Sequence, residues 1–324
     1  MKHVLCEAKN LVKDYPIQSA VGFGAKGCVV RAVNDVSFVI AHREVFALVG
    51  ESGCGKSTLG RLLLRLEEPT RGQVFFEGQS LESLSRREIF QWRRRAQIIY
   101  QDPYSALNPR KKIGQLIEEP LVIHRLGSPA ERREKVANLL QRVGLRPEHA
   151  ERYPHEFSGG QRQRIVIARA LALNPVFLVA DEPVSALDVS IQAQVINLLE
   201  ELQEELALTY LFISHDLSVV EHIAHRIGVM YLGRLVEIGP KEAFFEEPLH
   251  PYSQALLSAA PIPDPRAAAR KQRILLEGDV PSPMKPSHGC PFHPRCREQT
   301  AFCTQEVPPL RNIRPDRLVA CHQR

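Results

Sequence analysis

Nine consecutive residues, Gly50-Glu51-Ser52-Gly53-Cys54-Gly55-Lys56-Ser57-Thr58, carry the strongest chemistry in the chain. They follow the unbroken apolar run VFALV (45–49) and precede LGRLLLRL (59–66), so a G-x4-G-K-S pattern stands in the strand–loop–helix setting it requires. Small residues let backbone N–H groups curl around phosphate oxygens, and the helix N-terminus adds its positive dipole. Lys56 is expected to reach the β- and γ-phosphates of a nucleoside triphosphate, and Ser57 to offer its hydroxyl to Mg²⁺. A second group, Asp181-Glu182, ends the apolar run 176–180. An acid where a parallel strand emerges can hold the hydration shell of Mg²⁺, and the acid beside it can polarise a water. Asp181 is therefore assigned to magnesium and Glu182 to general-base work. A third group, Phe157-Ser158-Gly159-Gly160-Gln161, opens the helical stretch QRQRIVIARALAL. Ser158 stands where an N-cap would. Two successive glycines weaken a helix start by about 1 kcal/mol each, and a second phosphate-binding helix terminus accounts for them.

The elements that must position these groups are those of an α/β protein. Apolar runs at 36–40, 45–49, 73–76, 97–100, 176–180, 210–213 and 227–231 are expected strands. Those at 45–49 and 176–180 lack polar alternation, which suits burial on both faces. Val136, Leu139, Leu140 and Val143 share one helical face, with Ser128-Pro129 as the start signal and Gly144 as the stop. A second amphipathic helix carries Val195, Leu199, Leu202 and Leu206. Of the 24 prolines 13 fall in 246–324, as do four of the seven cysteines, so this segment is expected to be an irregular extension rather than part of a regular sheet. The chain has 324 residues, 44% hydrophobic and 24% charged, which excludes collagen-like, disordered and disulfide-scaffold classes. No apolar run approaches the roughly 18 residues of a membrane span, and MKHVLCEAKNLVKDY has no apolar core of a signal peptide. Seven cysteines without such a signal point to a reducing compartment. A net charge of +5 is too small to imply nucleic acid.

Three further features complete a set. Gln101 follows the strand QIIY, Ser185-Ala186-Leu187-Asp188 follows the acidic pair, and His215 follows the strand YLFI. In this order the motifs resemble the ATP-binding cassette (ABC) ATPases over 1–245, with Phe157 replacing the commoner Leu of the signature. The resemblance implies a P-loop NTPase cassette with a RecA-like core and an N-terminal antiparallel β region in 1–101 and 158–245. It adds a helical subdomain in 102–157 and a Pro/Cys-rich C-terminal extension in 246–324. It implies that Gln101 senses magnesium and touches a transmembrane partner, that Asp188 belongs to a loop crossing a dimer interface, and that His215 contacts γ-phosphate. Two cassettes pair head to tail in that family, so Ser158, Gly159, Gly160 and Gln161 act in trans on the ATP of the other subunit. The family stacks adenine on an aromatic residue upstream of the P-loop, here Tyr15 or its rival Phe23.

The stretch YQDPYSALNPRKKIG, the segment LHPYSQALLSA (249–259) and the tail GCPFHPRC…C…VACH (289–322) resemble the dipeptide/oligopeptide importer branch. The branch implies a partner cassette in a heterodimer, two transmembrane permease subunits and, indirectly, an extracytoplasmic solute-binding protein. The chain would lie peripherally at the cytoplasmic face of the membrane, with 102–157 and its RKK run (110–112) receiving the coupling helices. Relatives import oligopeptides, nickel complexes or glutathione, and a soluble non-transport cassette is the remaining alternative. Cys290, Cys296, Cys303 and Cys321 form a C-x5-C-x6-C-x17-C set, which suits a [4Fe–4S] cluster or structural zinc. Relatives of the branch carry a [4Fe–4S] cluster there. His288, His293 and His322 border these cysteines as substitute ligands or as surface residues.

Overall fold

The computed structural model describes residues 3–17, 28–260, 274–276, 278, 281 and 288–324. Two long strands, β1 (Val4–Ile17) and β2 (Cys28–Ala41), lead into β3 (Val45–Val49), helix α1 (Lys56–Leu63), β4 (Arg71–Phe76) and β5 (Gln79–Ser80). A mostly helical stretch follows, with α2 (Arg86–Trp92), β6 (Ala96–Ile99), α3 (Pro103–Ala106), α4 (Ile113–Ile123), α5 (Pro129–Arg142) and α6 (Gly159–Leu171). Alternation resumes in β7 (Phe177–Asp181), α7 (Val189–Leu206), β8 (Thr209–Ser214), α8 (Leu217–Ile223), β9 (Arg226–Tyr231), β10 (Arg234–Pro240) and α9 (Lys241–Glu246). The C-terminal segment contributes α10 (Pro251–Ala259), β11 (Arg311–Arg314) and β12 (Arg317–Val319). None of the described helices is long and apolar enough to cross a membrane.

The chain divides into two compact units. One comprises 1–40, 45–82 and 214–324, the other 41–44 and 83–213. In the first, β1 pairs antiparallel with β4 from Cys6↔Phe76 to Val12↔Arg71, with a register shift after Lys9. There too β3 runs parallel to β9, and β9 antiparallel to β10. In the second, β6, β7 and β8 form a parallel ladder. Every residue of β3 and of β7 is buried, as expected for apolar runs without alternation. Helix α5 starts on a reciprocal Ser128–Glu131 capping box and buries Val136, Leu139 and Leu140. Gly144 ends it at φ 75°, a conformation cheap only for glycine. The first strand lies outside the expected set. Glu7, Lys9, Asn10, Lys13 and Asp14 lower its β propensity, and the shift after Lys9 breaks the period-two signal.

The C-terminal segment departs from its expected irregularity. Strand β12 pairs antiparallel with β10 through Glu237↔Val319 and Ile238↔Leu318, and β11 pairs with β12. Proline density misleads because 310–322 holds a single proline, Pro315, in the turn between those strands, where a fixed φ is no obstacle. A buried ion pair fastens the strand: Arg317 donates to Glu237 at 2.9 Å, with side chains 6% and 1% exposed. Glu237 also accepts the backbone N–H groups of Leu249 (2.9 Å) and His250 (2.8 Å), so both carboxylate oxygens are satisfied. Leu249, Val319 and Cys321 pack together beside it, with Ile313 against them.

His250 caps α10 by accepting the Tyr252 N–H on Nδ1 at 3.0 Å, which requires the unprotonated nitrogen. Burial, then the charge of Arg324, pushes its pKa down to about 3 from an ordinary 6.5. The unfolded chain therefore binds a proton that the folded chain refuses between those values. This stability is full above pH 6.5 and is lost as pH falls toward 3. Thermal melts from pH 7.5 to 4.5 should show a steeper fall for the native chain than for His250→Asn, which keeps a capping oxygen without the titration; parallel slopes would contradict this.

Candidate active site

In the first unit, the buried β3 delivers the chain to Gly50, and α1 begins at Lys56 with no acid in its first turn. The positive end of that helix is thus left uncompensated by side chains. Gly55 turns the chain into the helix at φ 107°, and a Cβ there would lie 2.1 Å from the Ala32 carbonyl oxygen. Lys56 is 4% exposed, and its Nζ donates to the carbonyls of Gly50 (2.8 Å) and Glu51 (3.0 Å). Ser52 and Gly53 are exposed, and Ser57 and Thr58 half-buried in the first helical turn. Cys54 is buried, with Sγ 3.8 Å from Lys56 Nζ; burial pushes its thiol pKa up, so it serves as a packed small residue. Tyr15, near the end of β1, donates its phenol to the Glu67 carboxylate and meets Thr58 as well. Lys13 lies over its ring at 5.1 Å. Phe23 falls outside the described residues. His215 is exposed beyond β8, one residue before Asp216 caps α8.

The second unit holds the acids and the signature. Asp181 ends β7 opposite Ile213 and is 6% exposed. Glu182 leaves the strand at φ 49°, its N–H donating to the Ile213 carbonyl at 3.0 Å. Gln101 Nε2 donates to Glu182 Oε2 at 3.0 Å, bringing two expected residues into direct contact. Asp188 is exposed at the N-cap position of α7. Ser158 caps α6: its Oγ accepts the Gln161 N–H at 3.4 Å, and Gln161 Oε1 accepts the Ser158 N–H at 3.1 Å. The glycines divide. A Cβ on the buried Gly160 would lie 2.3 Å from Ile191 Cγ2, so packing against α7 demands that glycine. Gly159 is half-buried and meets Leu187 at 3.4 Å, ordinary contact. Packing against Ile191 thus gives Gly160 a reason to be glycine besides the expected ligand, whereas Gly159 has no such packing reason.

The tail cysteines are unbridged. Burial first, then neighbouring thiols, pushes Cys290 up to about 11 and also raises Cys296 and Cys321. Cys303 Sγ lies 3.4 Å from Thr300 Oγ1, and Cys321 Sγ accepts the Gln323 N–H at 3.4 Å. Among the described residues, no group of three or more His, Cys, Asp or Glu side chains could hold a metal ion. Cys290, Cys296, Cys303 and Cys321 therefore form no such group, for a [4Fe–4S] cluster or for zinc, among the described residues. The thiols of Cys303 and Cys321 are engaged in local hydrogen bonds. His293 and His322 are turned to the carbonyls of Cys290 and Glu306, and His288 is exposed.

Comparison with known proteins bears on the whole chain. The family described as ABC transporter matches 33–185, and the family described as oligopeptide/dipeptide transporter, C-terminal region, matches 236–303. The oligopeptide transport ATP-binding protein AppF of Bacillus subtilis is 52% identical over 322 residues, covering 99% of this chain and 98% of that protein. The chain belongs to the ABC ATPases, in the oligopeptide/dipeptide transporter branch. The dipeptide transport ATP-binding protein DppF of Escherichia coli is likewise 52% identical, over 321 residues, 99% of this chain and 95% of its own. Among solved structures, an ATP-binding cassette dimer in a post-hydrolysis state bound to ADP and Pi is 30% identical with a TM-score of 0.64. It covers 73% of this chain and 99% of its own length. This ABC ATPase thus keeps a cassette fold, and ATP and Mg²⁺ are its expected ligands. Tyr252 and Arg295, both hydrogen-bonded to the phosphate loop, escape sequence reasoning because over 200 residues separate them from it.

Gly160→Ala should lower the urea midpoint, costing about 1–3 kcal/mol through overpacking against Ile191. Gly159→Ala should hold or raise it, alanine being the better helix former. Equal midpoints would contradict the division between the two glycines.

Proposed function

We propose that this ABC ATPase is the subunit whose ATP hydrolysis powers import of di- and oligopeptides through a membrane complex. The observation that supports it most is the continuous match of cassette and C-terminal region to peptide-transport ATP-binding proteins. In this reading Lys56 exchanges its loop carbonyls for the β- and γ-phosphates, and the N–H groups of 53–58 cradle them. Tyr15 stacks on adenine. Ser57, Asp181 and Gln101 hold Mg²⁺, which neutralises phosphate charge when bound. Glu182 takes a proton from the attacking water, oriented by the amide of Gln101, and His215 contacts the γ-phosphate. Ser158, Gly159, Gly160 and Gln161 act in trans on the ATP of a partner cassette, with Asp188 at the same interface. ATP then promotes dimerisation and hydrolysis releases it.

The partners in this reading are a second homologous cassette, two permease subunits and, indirectly, a solute-binding protein. The chain lies peripherally at the cytoplasmic face of the membrane, and the helical segment 102–157 receives the permease. The four tail cysteines are proposed as [4Fe–4S] ligands. The support for this donor set is the number and soft chemistry of the four cysteines in C-x5-C-x6-C-x17-C.

Glu182→Gln should retain ATP binding while turning over at least ~100-fold more slowly, and vesicles carrying it with the permease and binding protein should not accumulate labelled dipeptide. Near-native turnover would place the base elsewhere, and ATP-dependent turnover without any peptide uptake would overturn the cargo. Anaerobically purified protein should contain iron and acid-labile sulfide; their absence would remove the cluster.

A further inference from the structure

One residue of the phosphate loop is gripped from three sides. The Glu51 N–H donates to the Tyr252 hydroxyl at 2.9 Å. Its carboxylate accepts from Arg295 through both oxygens, at 2.9 and 3.1 Å. Its carbonyl, with that of Gly50, accepts the Lys56 ammonium. Tyr252 belongs to α10 and Arg295 to the short turn 293–295 between Cys290 and Cys296, so both grips come from the C-terminal extension.

These grips are rigid. Tyr252 is fully buried, with its ring 4.7 Å from Tyr231 and 5.4 Å from Phe292, and Phe292 stands edge-on to Tyr231 at 5.3 Å. Those three rings fix the hydroxyl that receives Glu51. The Arg295 side chain is 9% exposed and that of Glu51 27%, so water screens this pair less than a surface pair. The Glu51 N–H and the Gly50 carbonyl share one planar peptide unit, so holding that N–H holds the Gly50 carbonyl. The side-chain grip restrains the Cα that carries the Glu51 carbonyl. Those two carbonyls hold the ammonium that must meet phosphate.

We propose that Tyr252 and Arg295 are positioning residues for nucleotide binding: the C-terminal extension presets the phosphate loop through Glu51, and through Glu51 the place of Lys56. The extension then sets the affinity of the cassette for ATP rather than merely decorating it. The inference rests on the reading of 50–58 as the nucleotide loop. Lys56→Ala tests that reading separately, since retention of ATP binding there would overturn the loop assignment itself.

The decisive experiment titrates a fluorescent ATP analogue, with Mg²⁺, into the full chain and its variants Tyr252→Phe, Arg295→Met, Arg295→Lys and Glu51→Gln. Thermal midpoints are recorded on the same samples. Loss of a hydrogen bond to a charged or loop-fixing group should weaken nucleotide binding about 5-fold or more. Arg295→Lys should recover part of the loss, and Glu51→Gln combined with Arg295→Met should be little worse than either alone. In the assembled complex the KM for ATP should rise for Tyr252→Phe and Arg295→Met while their kcat stays within about twofold. If Arg295→Met fails to fold, Tyr252→Phe, which removes one oxygen, still decides. Lowered thermal midpoints with native nucleotide affinity and KM would make these contacts a structural staple and overturn the proposal.

Discussion

The buried carboxylate of Glu237 is the constraint on which the C-terminal half of the first unit depends. It receives Arg317 from β12 and two backbone N–H groups from the start of α10. Leaving any one of these unmade would strand a charge or a donor in an apolar setting, and breaking such a pair typically costs about 3–5 kcal/mol. The fold meets this demand by closing the β10 edge with β12 and by starting α10 at one place. That start then sets where Tyr252 projects. A single acid on β10 therefore governs how a proline-rich segment meets the phosphate loop.

The second unit solves a different problem, that of fixing the positions of two acids at a strand end. Strand β7 carries Asp181 to its last buried position, and the chain then turns through a left-handed residue at Glu182. Such a backbone costs energy in a non-glycine residue and persists where surroundings determine it. Here the Ile213 carbonyl takes the Glu182 N–H, and Gln101 takes the side chain. A carboxylate oriented by one amide N–H keeps lone pairs free to accept a proton.

The parts legible in sequence are those whose physics is local. The strand–loop–helix around Lys56, the capping boxes at Ser128 and Ser158 and the buried strands 45–49 and 176–180 depend on neighbours a few residues away. What sequence hides is nonlocal. The packing of Gly160 against Ile191 is invisible until the two are seen together. Arg317 and Glu237 lie 80 residues apart with no periodic signal linking them. Strand β1 carries so many charges that its pairing with β4, rather than its composition, makes it a strand. Spacing of Cys290, Cys296, Cys303 and Cys321 announces a donor set, but it says nothing of the hydrogen bonds those thiols make.

In the proposed function the ATPase works as part of a membrane assembly. The measurement that tests this most directly is affinity capture of the tagged full chain from detergent-solubilised membranes with ATP present, followed by mass spectrometry. The account predicts recovery of a second cassette and two transmembrane permease subunits in defined stoichiometry. Recovery of a homodimer alone, or of ribosomes, would contradict it.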